Sequence, residues 1–216
     1  MPAKKSLVRL AADTARRVLP ESTQQRTSAR AAAFGSADWR RLLQTLGEDP
    51  TRQGLIETPE RMTRAWQHWT RGYGQDPAAI LKTFSDGSER YNELIVVRRI
   101  PVYSHCEHHL APFFGHAAIG YLPAGRIVGL SKLKRLVDCF AARLQVQERL
   151  TQQIAQTLLE ELEPKAVGVV MRCRHLCMES RGISVPGEET VTSAMLGQLE
   201  KSAPLRTEFL SLTRPD

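Results

Sequence analysis

No apolar run in the 216 residues approaches the roughly twenty that a bilayer-crossing helix needs. Nor does any segment combine the features of a secretory signal. Both absences favour a soluble cytoplasmic protein without a membrane partner. Cysteine is scarce, with four residues, Cys106, Cys139, Cys173 and Cys177. An even number admits a disulfide framework, but a chain of this length can bury a core without covalent staples. The cysteines also cluster with histidines, which fits a reducing compartment and metal ligation better. Internal repeats and low-complexity core segments are absent, and nothing forces more than one sizeable domain.

The formal charge is +7, yet its distribution excludes a general basic surface. Residues 1–30 hold Lys4, Lys5, Arg9, Arg16, Arg17, Arg26 and Arg30 against Asp13 and Glu21, a net +5 that leaves only +2 for the other 186 residues. An anion bound by the nearly balanced body must be held by a local cluster. Residues 1–33 have few large apolar side chains and read as a flexible basic arm. An organellar transit peptide is the weaker reading of that arm.

Beyond it, a short helix is expected over Trp39–Leu46. Thr58-Pro59-Glu60 reads as a helix start, with Thr58 as cap. Met62, Ala65, Trp66 and Trp69 follow at helical spacing as one buried face, and Gly72 and Gly74 end the helix. Strands are expected over Leu94–Tyr103 and Phe114–Leu122, as a hairpin-like pair. A helix is expected from Ser131 as cap, burying Leu133, Leu136, Val137 and Phe140. Its first turn carries Lys132, Lys134 and Arg135, although cations are disfavoured at the positive end of a helix dipole. A bound anion such as a phosphate removes that conflict. A second helix spans Gln145–Leu162, with Glu148 pointing away from its apolar stripe. A buried strand, Ala166–Cys177, a strand near Thr190–Met195 and a helix from Pro204 to Leu212 complete an α+β pattern.

The chemistry concentrates in Ser104-His105-Cys106-Glu107-His108-His109. Cys106 and His109 stand three apart, so on a tight turn both reach one ion. A third ligand is expected from Cys173-Arg174-His175-Leu176-Cys177, where extended backbone puts residues 173, 175 and 177 on one face. Zinc on Cys106, His109 and Cys177 has an open fourth position, the pattern of catalytic sites. A fourth ligand, Cys173 or His108, makes the site closed and structural. Two thiolates offset the ion's charge and weaken it as a Lewis acid, so a nearby base is expected, with His108 and His175 the candidates. A nucleobase deaminase uses a related zinc site, but its P-C-x-x-C signature is missing here.

From about Leu42 onward the sequence resembles the GTP cyclohydrolase I family. The matching stretches are Thr58-Pro59-Glu60-Arg61, Cys106-Glu107-His108-His109, Gly120-Tyr121-Leu122-Pro123, Gly129-Leu130-Ser131-Lys132, Gln145 to Thr151, His175-Leu176-Cys177 and Arg181-Gly182. The resemblance implies a T-fold, an antiparallel sheet with helices packed on one side, assembled into a barrel-like toroidal homodecamer of two pentamers. It divides the chain into the arm 1–33, a helical region 34–90 and a T-fold catalytic domain 91–216.

The implied reaction is zinc-dependent. Activated water adds to C8 of GTP, the imidazole ring opens, formate leaves, and the ribose carbons close a pyrazine ring as 7,8-dihydroneopterin triphosphate. By motif, Cys106, His109 and Cys177 hold Zn2+ and His108 and His175 handle protons. Ser131 serves the ribose rearrangement and Glu148 accepts from the guanine N1–H and 2-amino group. Gln147 joins the substrate-binding set. Lys132, Arg135 and Arg181 take the triphosphate, with Arg61 and Arg64 as weaker additions. Glu179, two residues before Arg181, is expected to weaken phosphate binding. Two rivals are a T-fold nitrile reductase, which uses NADPH, and a structural-zinc protein whose arm binds nucleic acid. The near-neutral body and the guanine-matching carboxylate speak against nucleic acid as a partner.

Overall fold

Alternating apolar residues build a five-stranded sheet in the computed structural model, which describes residues 34–85 and 90–214. In chain order the elements are α1 (Ser36–Thr45), α2 (Thr58–Trp69), a 3-10 turn (Arg71–Gly74), α3 (Pro77–Ile80), β1 (Thr83–Phe84), β2 (Ile95–Cys106) and β3 (Pro112–Leu122). There follow β4 (Ile127–Val128), α4 (Leu130–Ala141), β5 (Leu144–Gln145), α5 (Gln147–Leu162), β6 (Ala166–His175), α6 (Leu176–Glu179), β7 (Thr190–Gly197), α7 (Gln198–Lys201) and α8 (Ala203–Leu212). The expected arm, 1–33, lies outside the described residues. The chain divides into two compact units, one ending at Thr63 and the other beginning at Arg64.

The sheet order is β5-β2-β3-β6-β7, while β1 and β4 form a separate two-stranded pair. Every ladder in the larger sheet is antiparallel except the short parallel bridge between β2 and β5. Strand β3 pairs along nearly its whole length with β2 on one side and β6 on the other. Its first residues are therefore opposite the last residues of both neighbours: Pro112 faces His105, and Phe113 faces His175. Since β2 and β6 are both antiparallel to β3, they run parallel to each other, and their C-terminal ends meet at one end of the sheet.

Both faces of the sheet are covered. Val167, Val169, Met171 and Cys173 of β6 join the main core, with Leu133, Leu136 and Val137 of α4 and Leu150, Ile154 and Leu158 of α5. The intervening Ala166 and Val170 belong to a second cluster with Leu199 and Phe209. This explains why residues 167–171 read as a continuous apolar run rather than an alternating one. The expected arrangement with helices on one side therefore holds for α4 and α5 but not for α8. Phe209 of α8 fills the opposite face above Gly120 and Gly168, where an added Cβ would come within 2.6–2.9 Å of its ring.

Several element boundaries differ from the sequence expectation. Strand β2 continues through Cys106, past a bulge between Val97 and Ile100 where Arg99 adopts a left-handed φ of 57°. Ser131 is not a cap: α4 starts at Leu130 with Gly129 in the cap position. Leu144–Gln145 is strand, and the long helix begins at Gln147 because Cys106 recruits Gln145 into the sheet. Strand β6 stops at His175, and Cys177 lies on the helical turn α6, so the shared extended face expected for residues 173, 175 and 177 does not form. The apolar face of α2 is half-buried at Met62, Ala65 and Trp66 and exposed at Trp69.

Phe209→Ala should cost about 3–5 kcal/mol by removing the largest buried side chain of the second cluster. Urea unfolding monitored by circular dichroism measures this, and a change under about 1 kcal/mol would show that α8 is not anchored through that ring.

Candidate metal centre

Strand β2 delivers Cys106 to a tight turn. The Cys106 N–H donates to the Ala111 carbonyl at 2.8 Å, and the Leu110 N–H donates to the Cys106 carbonyl at 2.8 Å. Leu110 takes a left-handed φ of 55°, a conformation that costs a branched residue of order 1 kcal/mol. The turn presents Glu107 half-buried and His108 and His109 exposed. From the parallel end of β6, α6 brings in Cys177. One ligand atom each from Cys106, His109 and Cys177 lies within 4.8 Å of the others, with Cys106 buried, Cys177 intermediate and His109 exposed.

Two sulfurs and an imidazole nitrogen at such separations suit a soft or borderline divalent cation. Burial pushes the Cys177 thiol up, and the neighbouring Cys106 pushes it further, since two adjacent thiolates repel. A cation between them relieves both effects, so the donor set fits a metal. Cys173 is not placed to join them. It lies fully buried in the main core, where burial pushes its thiol up to about 12 and keeps it protonated. The Nδ1 of His108 lies 3.8 Å from the Cys106 sulfur, and that of His109 4.0 Å.

His175 stacks on Phe113 at 4.8 Å between ring centres, with 12° between planes. Its Nδ1 is buried and makes no hydrogen bond of ordinary geometry. Burial holds the His175 pKa below the usual histidine value, opposed by the charge of Glu148. Glu148 is exposed on the first turn of α5. Gln147 is buried: its amide nitrogen is within hydrogen-bond distance of the Met171 and Thr190 carbonyls and the Thr192 hydroxyl, while its Oε1 has no partner.

At the start of α4, Ser131 and Arg135 are exposed and Lys132 is half-buried. Lys134 is paired with Asp138, which leaves two of the three first-turn cations for an anion. Arg181 is exposed just beyond α6. Both carboxylate oxygens of Glu179, expected to weaken phosphate binding, pair with Arg174 at 2.9 and 2.5 Å. Arg61 pairs with Glu57 on the first turn of α2, and Arg64 is exposed further along that helix.

Sequence reasoning missed two features. Glu107, left without a role, accepts a 2.5 Å hydrogen bond from Arg149 and lies 3.9 Å from His108. An acidic residue inside a metal motif was the one available hint that a cation must meet it. His105 is nearly buried against the paired rings of Trp66 and Trp69, at 5.1 and 4.7 Å, on the sheet face away from Cys106. The helical spacing of those tryptophans signalled burial but not the partner.

Taken together, a mixed helix and sheet fold and a Cys-His-Cys group with an adjacent histidine and carboxylate define a candidate metalloenzyme. The family model for GTP cyclohydrolase I matches residues 35–214, and the chain belongs to that enzyme family. It is 79% identical to a GTP cyclohydrolase 1 of Nitrosospira multiformis over 179 residues, covering 83% of this chain and 94% of that protein. It is 71% identical to one of Janthinobacterium sp. over 181 residues, 84% and 91% of the two chains. A third, from Corynebacterium glutamicum, is 54% identical over 178 residues, 81% and 89%. Among solved structures, a QueF-like archaeosine synthase in its apo form matches 48% of this chain and 93% of its own, with a TM-score of 0.39 and 19% identity. That likeness carries no argument.

Two outcomes test this geometry. After loading with zinc as a probe ion, Cys177→Ser should retain far less metal than wild type on dialysis, measured by atomic absorption, with the far-ultraviolet spectrum unchanged; equal retention would remove Cys177 from the site. Burial also holds the His105 pKa below its ordinary value of about 6.5. The unfolded chain therefore takes up a proton that the folded one refuses, so the His105 contribution to stability is complete above pH 6.5 and lost as pH falls below it. The decline in urea midpoint between pH 7.5 and 5.5 should be shallower in His105→Gln.

Proposed function

We propose that the chain hydrolyses GTP to formate and 7,8-dihydroneopterin triphosphate, the entry to folate or tetrahydrobiopterin synthesis. The observation that carries this reading is the convergence of Cys106, His109 and Cys177 in a chain of the GTP cyclohydrolase I family. Zinc held by these three side chains would supply Lewis-acid activation of a water molecule. Everything else falls to the chain's own groups.

Glu148 reads the base. Its two oxygens match the parallel N1–H and 2-amino donors of guanine, which adenine does not offer, and leaving them unpaired rejects other purines. The charge interaction between the Glu148 carboxylate and the His175 imidazole supports this reading. His175, with an unsatisfied buried nitrogen and a ring held flat on Phe113, is suited to exchange a proton at the purine five-membered ring. Burial favours its neutral form, which has a lone pair free to accept a proton. His108, exposed beside the donor group, handles protons at the C8 side as water adds and formate departs.

Lys132 and Arg135, at the N-terminal end of α4, together with Arg181, hold the triphosphate, and free helix N–H groups add to the attraction for anions. Ser131, on the same turn, serves the ribose rearrangement. Gln147 contributes by fixing the start of α5 to the sheet, and Arg61 and Arg64 are weaker cationic additions. The assembly proposed is a toroidal homodecamer of two pentamers in the cytoplasm. Among the described residues, the outer edge of β7 has no strand partner, which supports lateral continuation into a neighbouring copy. Among the described residues, no helix is long and apolar enough to cross a membrane.

Incubation with GTP should release formate and a fluorescent pterin in equal amounts, and metal-free protein that retains full activity would sink the reading. Glu148→Gln should lower kcat/KM for GTP by at least about a hundredfold while zinc content stays at the wild-type level.

A further inference from the structure

The two exposed histidines of the metal turn sit on a loop with little else to hold it. Leu110 is strained, and residues 108–110 are exposed. Yet a three-ligand site needs its donors held to within about half an ångström. Among the described residues, the turn is fastened to the N-terminal end of α5 by three contacts. Cys106 pairs with Gln145 in the parallel β2/β5 bridge. The Glu107 N–H donates to the Gln145 carbonyl at 3.0 Å. The Arg149 guanidinium then donates to the Glu107 carboxylate at 2.5 Å, across 42 residues of sequence.

The side chains of Arg149 and Glu107 are 31% and 32% exposed, respectively. A pair at this depth is less screened than a surface ion pair, and it keeps access to water, so it avoids the heavy desolvation cost of a fully buried one. It is also charge-assisted and short, which puts it among the stronger hydrogen bonds. The other Glu107 oxygen, 3.9 Å from His108 Nε2, extends the tie toward the loop tip. Arg149 follows Glu148 on α5, so one helical turn carries both the proposed base-reading carboxylate and the cation that grips the metal turn.

We infer that Arg149 is a positioning residue which, through Glu107, locks the turn carrying Cys106 and His109 to the start of α5, so that the metal donors and Glu148 are held as one rigid unit. This rests on the metal site described under the proposed function. Arg149 acts by restricting where the turn can go. Partners of this kind typically contribute 10- to 100-fold to metal affinity.

The test measures zinc affinity by competition with a chromogenic chelator in the wild type, Glu107→Gln, Arg149→Gln and the double variant, all at one pH. Each single change is expected to weaken zinc binding by about 10- to 100-fold, and the double no further than the worse single, because both break the same link. Affinities within twofold of wild type, or losses that multiply in the double variant, would overturn the inference. Arg149→Lys, which keeps the charge but loses the planar fork, should fall between wild type and Arg149→Gln. It also serves where Arg149→Gln fails to fold, and wild-type affinity in it would count against the inference.

Amide hydrogen exchange on the metal-free proteins supplies a readout independent of zinc. The Glu107 and Leu110 amides should exchange at least about tenfold faster in Arg149→Gln or Arg149→Lys, with the β3 and β6 amides unchanged. If wild-type protein takes up no zinc, the metal reading fails, and exchange alone decides. Faster exchange confined to the turn upholds the lock, and unchanged exchange removes it.

Discussion

Everything in the site depends on the placement of β3 between β2 and β6. Because β3 is antiparallel to both, these two flanking strands run in the same direction and finish at the same end of the sheet, on either side of β3. Cys106 and Cys177, 71 positions apart in sequence, reach one point in space only for that reason. A register slip of one residue in either ladder would turn the terminal side chains to the opposite face and separate the donors. The long, regular ladders and the apolar layer of α4 and α5 that covers one face keep the register fixed.

That constraint also explains the division of labour among the helices. The two long helices bury Leu133, Leu136, Leu150, Ile154 and Leu158 against the sheet, and their N-terminal turns carry the residues proposed to bind substrate. Helix N-termini offer unsatisfied N–H groups and a positive field, which suits α4 to phosphates. At α5 the same end carries Glu148, an acidic group that the field favours, and then Arg149, whose fork reaches the metal turn. A rigid apolar layer thus aims groups that would be poorly placed on loops.

Much of the site was legible in the sequence because the chemistry is local. The density of donors at 105–109, the second cluster at 173–177 and the first-turn cations at 131–135 each carry their meaning in short spacings. Less legible was whatever depends on a partner far along the chain. Glu107 looked idle until Arg149 met it, and His105 looked like a member of the metal cluster until the strand turned it toward two tryptophans. Glu179 looked harmful to an adjacent phosphate cation but is occupied by Arg174. In each case a distant or cross-turn contact settled what a short spacing could not.

The sequence by itself determined the α+β pattern and the donor types of the candidate metal site, since periodicity and ligand softness are properties of short segments. Only the tertiary structure decided that Cys177, on a helical turn rather than an extended strand, approaches the first cluster while Cys173 is sealed in the core. It also decided that α8 covers the second face through Phe209. The physical reason is the same for both. Which side of a strand a residue faces, and where the strand stops, is set by pairing and packing with segments far away in sequence.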